Sequence, residues 1–212
     1  MILSYSNDII FLRTRKTGGT STELVLSTWC SPPDVCSTLH EEDEPKRQDL
    51  GGLRPRRYYH GHRVFNHMGA GEISQMVPRL WRKAYRFAVE RHPYEKVVSR
   101  AFWNIARRGG DADREFAKEV NYILRGESYL DRHVYHIDGQ IAVNEVVRYD
   151  DLWDWMSDFS ARRGWDLPTE IPRSKSGHRA DRRLAAEILC PTQKRRIQEV
   201  ADYEFSRFGF AR

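Results

Sequence analysis

Four consecutive apolar residues, Ile9-Ile10-Phe11-Leu12, run into Arg13-Thr14-Arg15-Lys16-Thr17-Gly18-Gly19-Thr20-Ser21, after which apolar residues return at helical spacing. A strand, a glycine-rich loop and a helix in that order constrain this chain more than any other segment. The paired glycines permit a tight bend that turns backbone N–H groups inward, and the following helix adds its positive end, so the unit can cradle an anion. Lys16 contributes a point charge, and Thr17, Thr20 and Ser21 contribute hydroxyl donors. The same pattern also serves as a plain strand-to-helix turn with Thr20 and Glu23 as a capping box. Nucleotide-binding P-loops place lysine after the second glycine, directly before the hydroxyl residue, whereas here Lys16 precedes both glycines.

Periodicity along the rest of the chain extends the pattern. A first helix is expected from Thr20 to Trp29, and the polar stretch of residues 31–56, with Ser31-Pro32-Pro33 and Glu41-Glu42-Asp43-Glu44, reads as a loop or insertion. Strands are expected over Arg57–His62, Ala84–Glu90 and Ile141–Arg148. Pro93 suits the first position of a helix that carries Tyr94, Val97, Val98, Ala101, Phe102 and Ile105 on one face and ends at Gly109-Gly110. Further helices are expected over Ala112–Arg125, ended by Gly126, from Leu152 to a stop at Gly164, and over Asp181–Leu189 and Thr192–Phe205. Strands separated by helices imply an α/β fold. We expect a single P-loop-like domain over residues 1–212, with a central, mainly parallel sheet flanked by helices and ligands at the carboxyl ends of its strands.

Bulk properties exclude several classes. At 212 residues, 40% hydrophobic and 31% charged, the chain suits one globular domain and neither a disordered nor a fibrous protein. It has no apolar run long enough to cross a bilayer, and Met1–Ser6 lacks the features of a signal peptide, so a soluble, cytoplasmic protein is expected. Cys30, Cys36 and Cys190 show no metal-ligand spacing, and their odd number argues for free thiols. A net charge of +5 favours anionic partners without selecting among a nucleotide, an acidic glycan and nucleic acid.

Three segments fall at expected strand ends: the Lys16 loop, His60-Gly61-His62, and Arg91-His92-Pro93. Arg91 offers a planar fork of donors suited to phosphate oxygens, and Ser99, eight residues later, adds a hydroxyl about two helical turns on. Lys16-Thr17-Gly18-Gly19-Thr20-Ser21 followed by Arg91-His92-Pro93-Tyr94-Glu95-Lys96-Val97-Val98-Ser99 resembles the sulfotransferases that use 3′-phosphoadenosine 5′-phosphosulfate (PAPS). The resemblance implies that the first loop, Lys16 to Ser21, holds the 5′-phosphosulfate, and that Arg91 and Ser99 hold the 3′-phosphate.

Tyr58-Tyr59-His60-Gly61-His62 is similar to a segment of the glycan 2-O-sulfotransferases acting on heparan and dermatan, in which a histidine is the catalytic base. Val146–Leu152 and Tyr203–Phe210 look like later parts of that branch, and Pro172-Arg173-Ser174-Lys175-Ser176 resembles a basic segment closing over the nucleotide, which adds Lys175 and Ser176 to the binding set. The eukaryotic members are longer and carry a membrane anchor, so this chain looks more like a compact bacterial member or a trimmed catalytic domain.

The chemistry expected is transfer of a sulfuryl group from PAPS to a hydroxyl of a carbohydrate or similar, possibly acidic, acceptor, leaving adenosine 3′,5′-bisphosphate (PAP). Lys16 would stabilise the leaving oxygen, and no divalent metal is required if lysine and the helix end supply the positive charge. His62 is the first choice as general base. If the strand continues through this segment, His60 points to the same side, where it could orient the base or replace it. A zinc site with His67 or a cysteine and a purely structural role are the rival readings of this pair. Rival functions are a P-loop-type kinase or nucleotide hydrolase and a nucleic-acid-binding module. The lysine position counts against the first, and nothing matching a groove-reading or base-stacking motif supports the second, so no nucleic-acid partner is expected.

Overall fold

A computed structural model describes residues 1–169, 179, 181 and 183–212, and these form two compact units. The first contains Met1–Thr14, Gly18–Val89 and the described residues from Arg132 to 169; the second contains Arg15–Thr17, Glu90–Asp131 and the described residues from 179 onward. Along the chain come β1 (Ile2–Ser4), β2 (Ile9–Leu12), α1 (Gly19–Thr28), β3 (Val35–Cys36), α2 (Glu44–Asp49), β4 (Tyr58–Tyr59) and β5 (His62–Arg63). Helices α3 (Ala70–Met76) and α4 (Pro78–Lys83) lead to β6 (Tyr85–Glu90), α5 (Pro93–Arg107) and α6 (Ala112–Gly126). Next are α7 (Arg132–Tyr135), β7 (His136–Ile137), β8 (Gln140–Ile141), β9 (Glu145–Arg148) and α8 (Leu152–Ala161). Helices α9 (Ala185–Ile188), α10 (Pro191–Val200) and α11 (Asp202–Phe208) complete the described elements.

The first unit is α/β, with a mixed sheet in the order β3-β1-β2-β6-β9 flanked by helices. β2 pairs in parallel with β6, Phe11 opposite Phe87, and all four of its residues are buried, as expected of an interior strand covered on both faces. β1 runs antiparallel to both β2 and β3, so β2, β3 and β6 point one way and β1 the other. The antiparallel addition follows from its connection, because the short turn between Ser4 and Ile9 cannot make the crossover a parallel pair needs. Buried Asp34 fixes that turn, accepting from Tyr5 N at 2.6 Å, Ser6 N at 3.0 Å and Ser4 Oγ at 2.8 Å. The core on one side gathers Ile2, Phe11, Leu26, Phe87, Val147, Leu152, Met156 and Phe159, with Phe87 ring centroids 5.1 Å from Phe11 and 4.7 Å from Trp155.

The second unit is helical. Val97, Val98, Ala101, Phe102 and Ile105 form the buried stripe of α5, packed with Val120 and Ile123 of α6 and with Ile197 and Phe205 of α10 and α11. His92 caps α5: its Nδ1 accepts from Tyr94 N at 3.2 Å, which leaves Nε2–H to donate to the Ala211 carbonyl at 2.8 Å.

Several expected elements change at residues whose local chemistry explains the change. The strand expected over Ile141–Arg148 is broken, because Asp138 and Gly139, both at positive φ, form a two-residue turn that pairs Ile141 back onto β7 and leaves only β9 for the main sheet. Residues 31–56 contribute β3 and α2 as well as loop, with the Arg47 side chain fully buried and its Nη2 donating to the Ser37 carbonyl at 3.0 Å. Ala201 separates α10 from α11 where one helix was expected. Of the helix expected over Asp181–Leu189, the described residues contain α9, Ala185–Ile188. Among the described residues no helix is long and apolar enough to cross a membrane.

Candidate functional site

The loop after β2 is held residue by residue. Arg13 is buried; its guanidinium donates to Glu23 Oε2, to Thr20 Oγ1 at 2.6 Å and to Asn66 Oδ1 at 3.0 Å. His67 Nδ1 lies 2.8 Å from the Arg13 carbonyl, and Thr14 Oγ1 donates to the Val89 carbonyl. Arg15 grips buried Asp131 twice, through its backbone N at 2.8 Å and Nη1 at 2.6 Å. The chain then turns: Lys16 has φ 60° and Gly18 φ 72°.

Neither glycine is replaceable without movement. A Cβ on Gly18 would stand 2.9 Å from the Tyr149 ring, and one on Gly19 would stand 2.7 Å from Arg13 Cγ. Gly18 is the N-cap of α1, makes no side-chain cap bond, and is followed by a first turn without acidic residues. The opening N–H groups of a helix have no intrahelical acceptors, and here the macrodipole is not offset by a carboxylate, so the helix start suits an anion. The capping box of the plain-turn alternative does not form, since Gly18 and not Thr20 is the N-cap. Glu23 is fully buried, where Met1 N donates to it at 2.5 Å, Ser37 Oγ at 2.8 Å, and Arg13 completes its pairing. Burial works to raise the Glu23 pKa, but the N-terminal amine, Arg13 and Arg47 outweigh it and hold the carboxyl below its ordinary value.

In the second unit, Glu90, Arg91 and α5 lie next to Lys16. Arg91 Nη1 donates to the Lys16 carbonyl at 3.3 Å, while Nη2 meets Glu95 at 3.1 Å. Glu95 also takes Arg179 Nη1 at 2.5 Å and the Ala185 N–H at 2.9 Å, contacts that overcome its partial burial and lower its pKa. Behind Arg91, Lys96 Nζ sits 2.7 Å from Glu90 and 2.9 Å from Asp131, all three buried. The two carboxylates raise the Lys96 pKa against burial, and Lys96 with Arg15 lowers that of Asp131. Burial prevails at Glu90, whose pKa is raised. Lys16 Nζ lies 5.1 Å from the centre of the Trp103 ring, and Ser99 is half-buried in the second turn of α5.

The short strand does not continue through the histidine segment, so the condition under which His60 and His62 would share a face is not met. Tyr59 pairs with His62 and Tyr58 with Arg63, leaving His60-Gly61 as a two-residue turn with φ 47° and 79°. His60 therefore does not share a strand face with His62, and its ring stands 4.1 Å from that of Tyr59. Residues opposite each other across a hairpin share a face, so His62 goes with Tyr59 and, two residues on, with buried Val64, while Tyr58 points outward at 65% exposure. Both histidines are exposed.

Thus Lys16 and Arg91 meet, Thr17, Gly18, Gly19, Thr20 and Ser21 form the bend and helix start, and His60 and His62 occupy their own hairpin in the first unit. Lys175 and Ser176 lie outside the described residues. Thr20 Oγ1 accepts from Arg13, so its hydroxyl has a structural partner as well. Sequence reading offered Glu23 only as half of a capping box and gave no role to the buried carboxylates Glu90 and Asp131. Of the last two, Glu90, an acid closing an apolar strand next to Arg91, carried a signal. No family model, curated protein or solved structure matches the chain.

Proposed function

We propose that the chain is a sulfotransferase that moves the sulfuryl group of PAPS to a hydroxyl of a carbohydrate or similar acceptor. One observation carries this reading: the 3.3 Å hydrogen bond from Arg91 to the Lys16 carbonyl, which joins the two segments whose sequences together resemble the PAPS-binding motifs. In this reading Lys16, Thr17 and the N–H groups through Ser21 receive the 5′-phosphosulfate, and Arg91 with Ser99 receives the 3′-phosphate. The acceptor oxygen attacks sulfur in line, the bond from sulfur to the phosphate oxygen breaks, and its electron pair leaves with PAP. Lys16 and the α1 N-terminus stabilise that developing charge. His62 takes the acceptor proton, with His60 the second choice. The exposed Arg54, Arg56, Arg57 and Arg63 near the hairpin in sequence would favour an acidic acceptor.

The test is a thermal shift with PAP, expected to raise Tm in the intact protein and to have no effect on Lys16→Ala or Arg91→Ala. Labelled-sulfate transfer to a glycan and phenol panel then reads turnover, which His62→Ala should lose while keeping the PAP shift. No PAP shift in the intact protein, with magnesium-dependent ATP binding instead, would replace this reading with a nucleotide kinase or hydrolase.

A further inference from the structure

Lys96, Glu90 and Asp131, three buried side chains of the second unit, take no part in the proposed transfer, yet their bonds lead to both segments assigned to phosphate. The Lys96 ammonium donates to Glu90 Oε1 at 2.7 Å and to Asp131 Oδ2 at 2.9 Å. Each of those oxygens accepts a second bond, and each time from a backbone N–H: Glu90 Oε1 from Arg91 at 2.8 Å, and Asp131 Oδ2 from Arg15 at 2.8 Å. A carboxylate oxygen can take two donors and an ammonium has three hydrogens, so one lysine can serve both bridges. The other Asp131 oxygen takes Arg15 Nη1 at 2.6 Å.

Arg15 immediately precedes Lys16, whose φ is 60°, and Arg91 is the residue assigned to the 3′-phosphate. Arg91 Nη1 returns to the Lys16 carbonyl at 3.3 Å, so the path from Lys96 through Glu90, Arg91, Lys16, Arg15 and Asp131 closes on itself. Two turns 75 positions apart in sequence thereby share one anchor. At 3% exposure Lys96 is out of a ligand's reach, and its influence passes through the two backbones it fixes. Those bonds join charged partners, the stronger class of hydrogen bond. Precision matters at such a site, because a misplacement of about 1 Å can cost ~10²-fold.

We propose that Lys96 is the positioning residue of the two-phosphate site: its ammonium holds the Lys16 turn and the Arg91 turn in one register. That this register serves PAP rests on the sulfotransferase reading; the holding of the two turns does not.

Three variants separate positioning from stability. Lys96→Met removes the anchor and leaves Glu90 uncompensated. Lys96→Met/Glu90→Gln removes the anchor without that charge, because Asp131 keeps Arg15 as its counter-ion, so its urea midpoint should recover toward that of the intact protein. Glu90→Gln alone keeps the ammonium and an amide oxygen that accepts from both donors. The readouts are PAP affinity by calorimetry and amide exchange at Arg15 and Arg91 by NMR, with Val98 and Ala101 in the core of α5 as internal references. PAP affinity is expected to fall about tenfold in the first two variants and to stay within about threefold in Glu90→Gln. In the double variant both amides are expected to exchange about tenfold faster while the references keep their rates. Recovery of PAP affinity along with the urea midpoint, an equal loss in Glu90→Gln, or unchanged exchange at either amide would overturn the proposal and leave Lys96 a counter-ion only. If the intact protein does not bind PAP, the sulfotransferase reading falls, and the exchange rates alone decide whether Lys96 holds the turns.

Discussion

Replacing Lys96 with methionine tests the charge network behind the Lys16 loop. The ammonium is 3% exposed and lies 2.7 Å from Glu90 and 2.9 Å from Asp131, whose side chains are fully buried. Methionine keeps most of the volume, so packing loss is small and the effect is electrostatic. Removing one partner of a buried ion pair typically costs about 3–5 kcal/mol, because an uncompensated charge remains. Arg15 still reaches Asp131 at 2.6 Å, which places the expected loss toward the lower end, ~3 kcal/mol at pH 7.

The pH response gives the sign. In the intact protein Asp131, held below its ordinary 3.8, contributes stability above that value, and the contribution disappears as pH falls through its folded pKa. Lys96, raised above 10.5, contributes below that value and loses the contribution as pH rises through its folded pKa. Glu90, raised above 4.5, favours folding when protonated and loses that advantage as pH rises through its folded value. Deleting Lys96 removes the cation that restrains both carboxyls, so their folded pKa values rise. The penalty in Lys96→Met is then largest at neutral pH and shrinks toward pH 5 as the carboxyls protonate. Urea unfolding of both proteins at pH 7 and pH 5 measures this. A loss under ~1 kcal/mol at pH 7, or the same loss at both pH values, would refute the account of Lys96 as a buried counter-ion.

Gly18→Ala should destabilise by about 2 kcal/mol or more in urea unfolding, since alanine must adopt φ 72° and its Cβ meets the Tyr149 ring at 2.9 Å. His92→Ala should lose ~1 kcal/mol through the α5 cap, read by the same assay. His60→Asn should be neutral or stabilising by up to ~0.5 kcal/mol, because asparagine suits a left-handed turn position better than histidine.

Legibility from sequence followed the range of the interactions involved. Pro93 and the apolar stripe from Tyr94 to Ile105 specify α5 locally, and the structure places it at Pro93–Arg107. The loop from Lys16 to Ser21 was legible because glycine pairs and hydroxyl residues work at the level of the backbone. His60-Gly61 and Asp138-Gly139 are turn signals of the same local kind, but the first lies inside the strand expected over Arg57–His62 and the second just ahead of the one expected from Ile141. What sequence could not reveal is which distant carboxylate takes each arginine: Arg15 and Asp131 are 116 positions apart, and only the packed chain makes them neighbours.

That pairing also distinguishes among the cations of the loop. Arg13 and Arg15 are committed to Glu23 and Asp131, buried carboxylates whose abandonment would cost several kcal/mol each. Lys16 rests over an aromatic ring, an interaction worth about 0.5–2 kcal/mol. A charge-assisted hydrogen bond to an incoming anion contributes ~1.5–3 kcal/mol, which is not enough to draw the arginines from their carboxylates. The arginines therefore hold the loop in shape, and it is Lys16 that the sulfotransferase reading assigns to the ligand's charge.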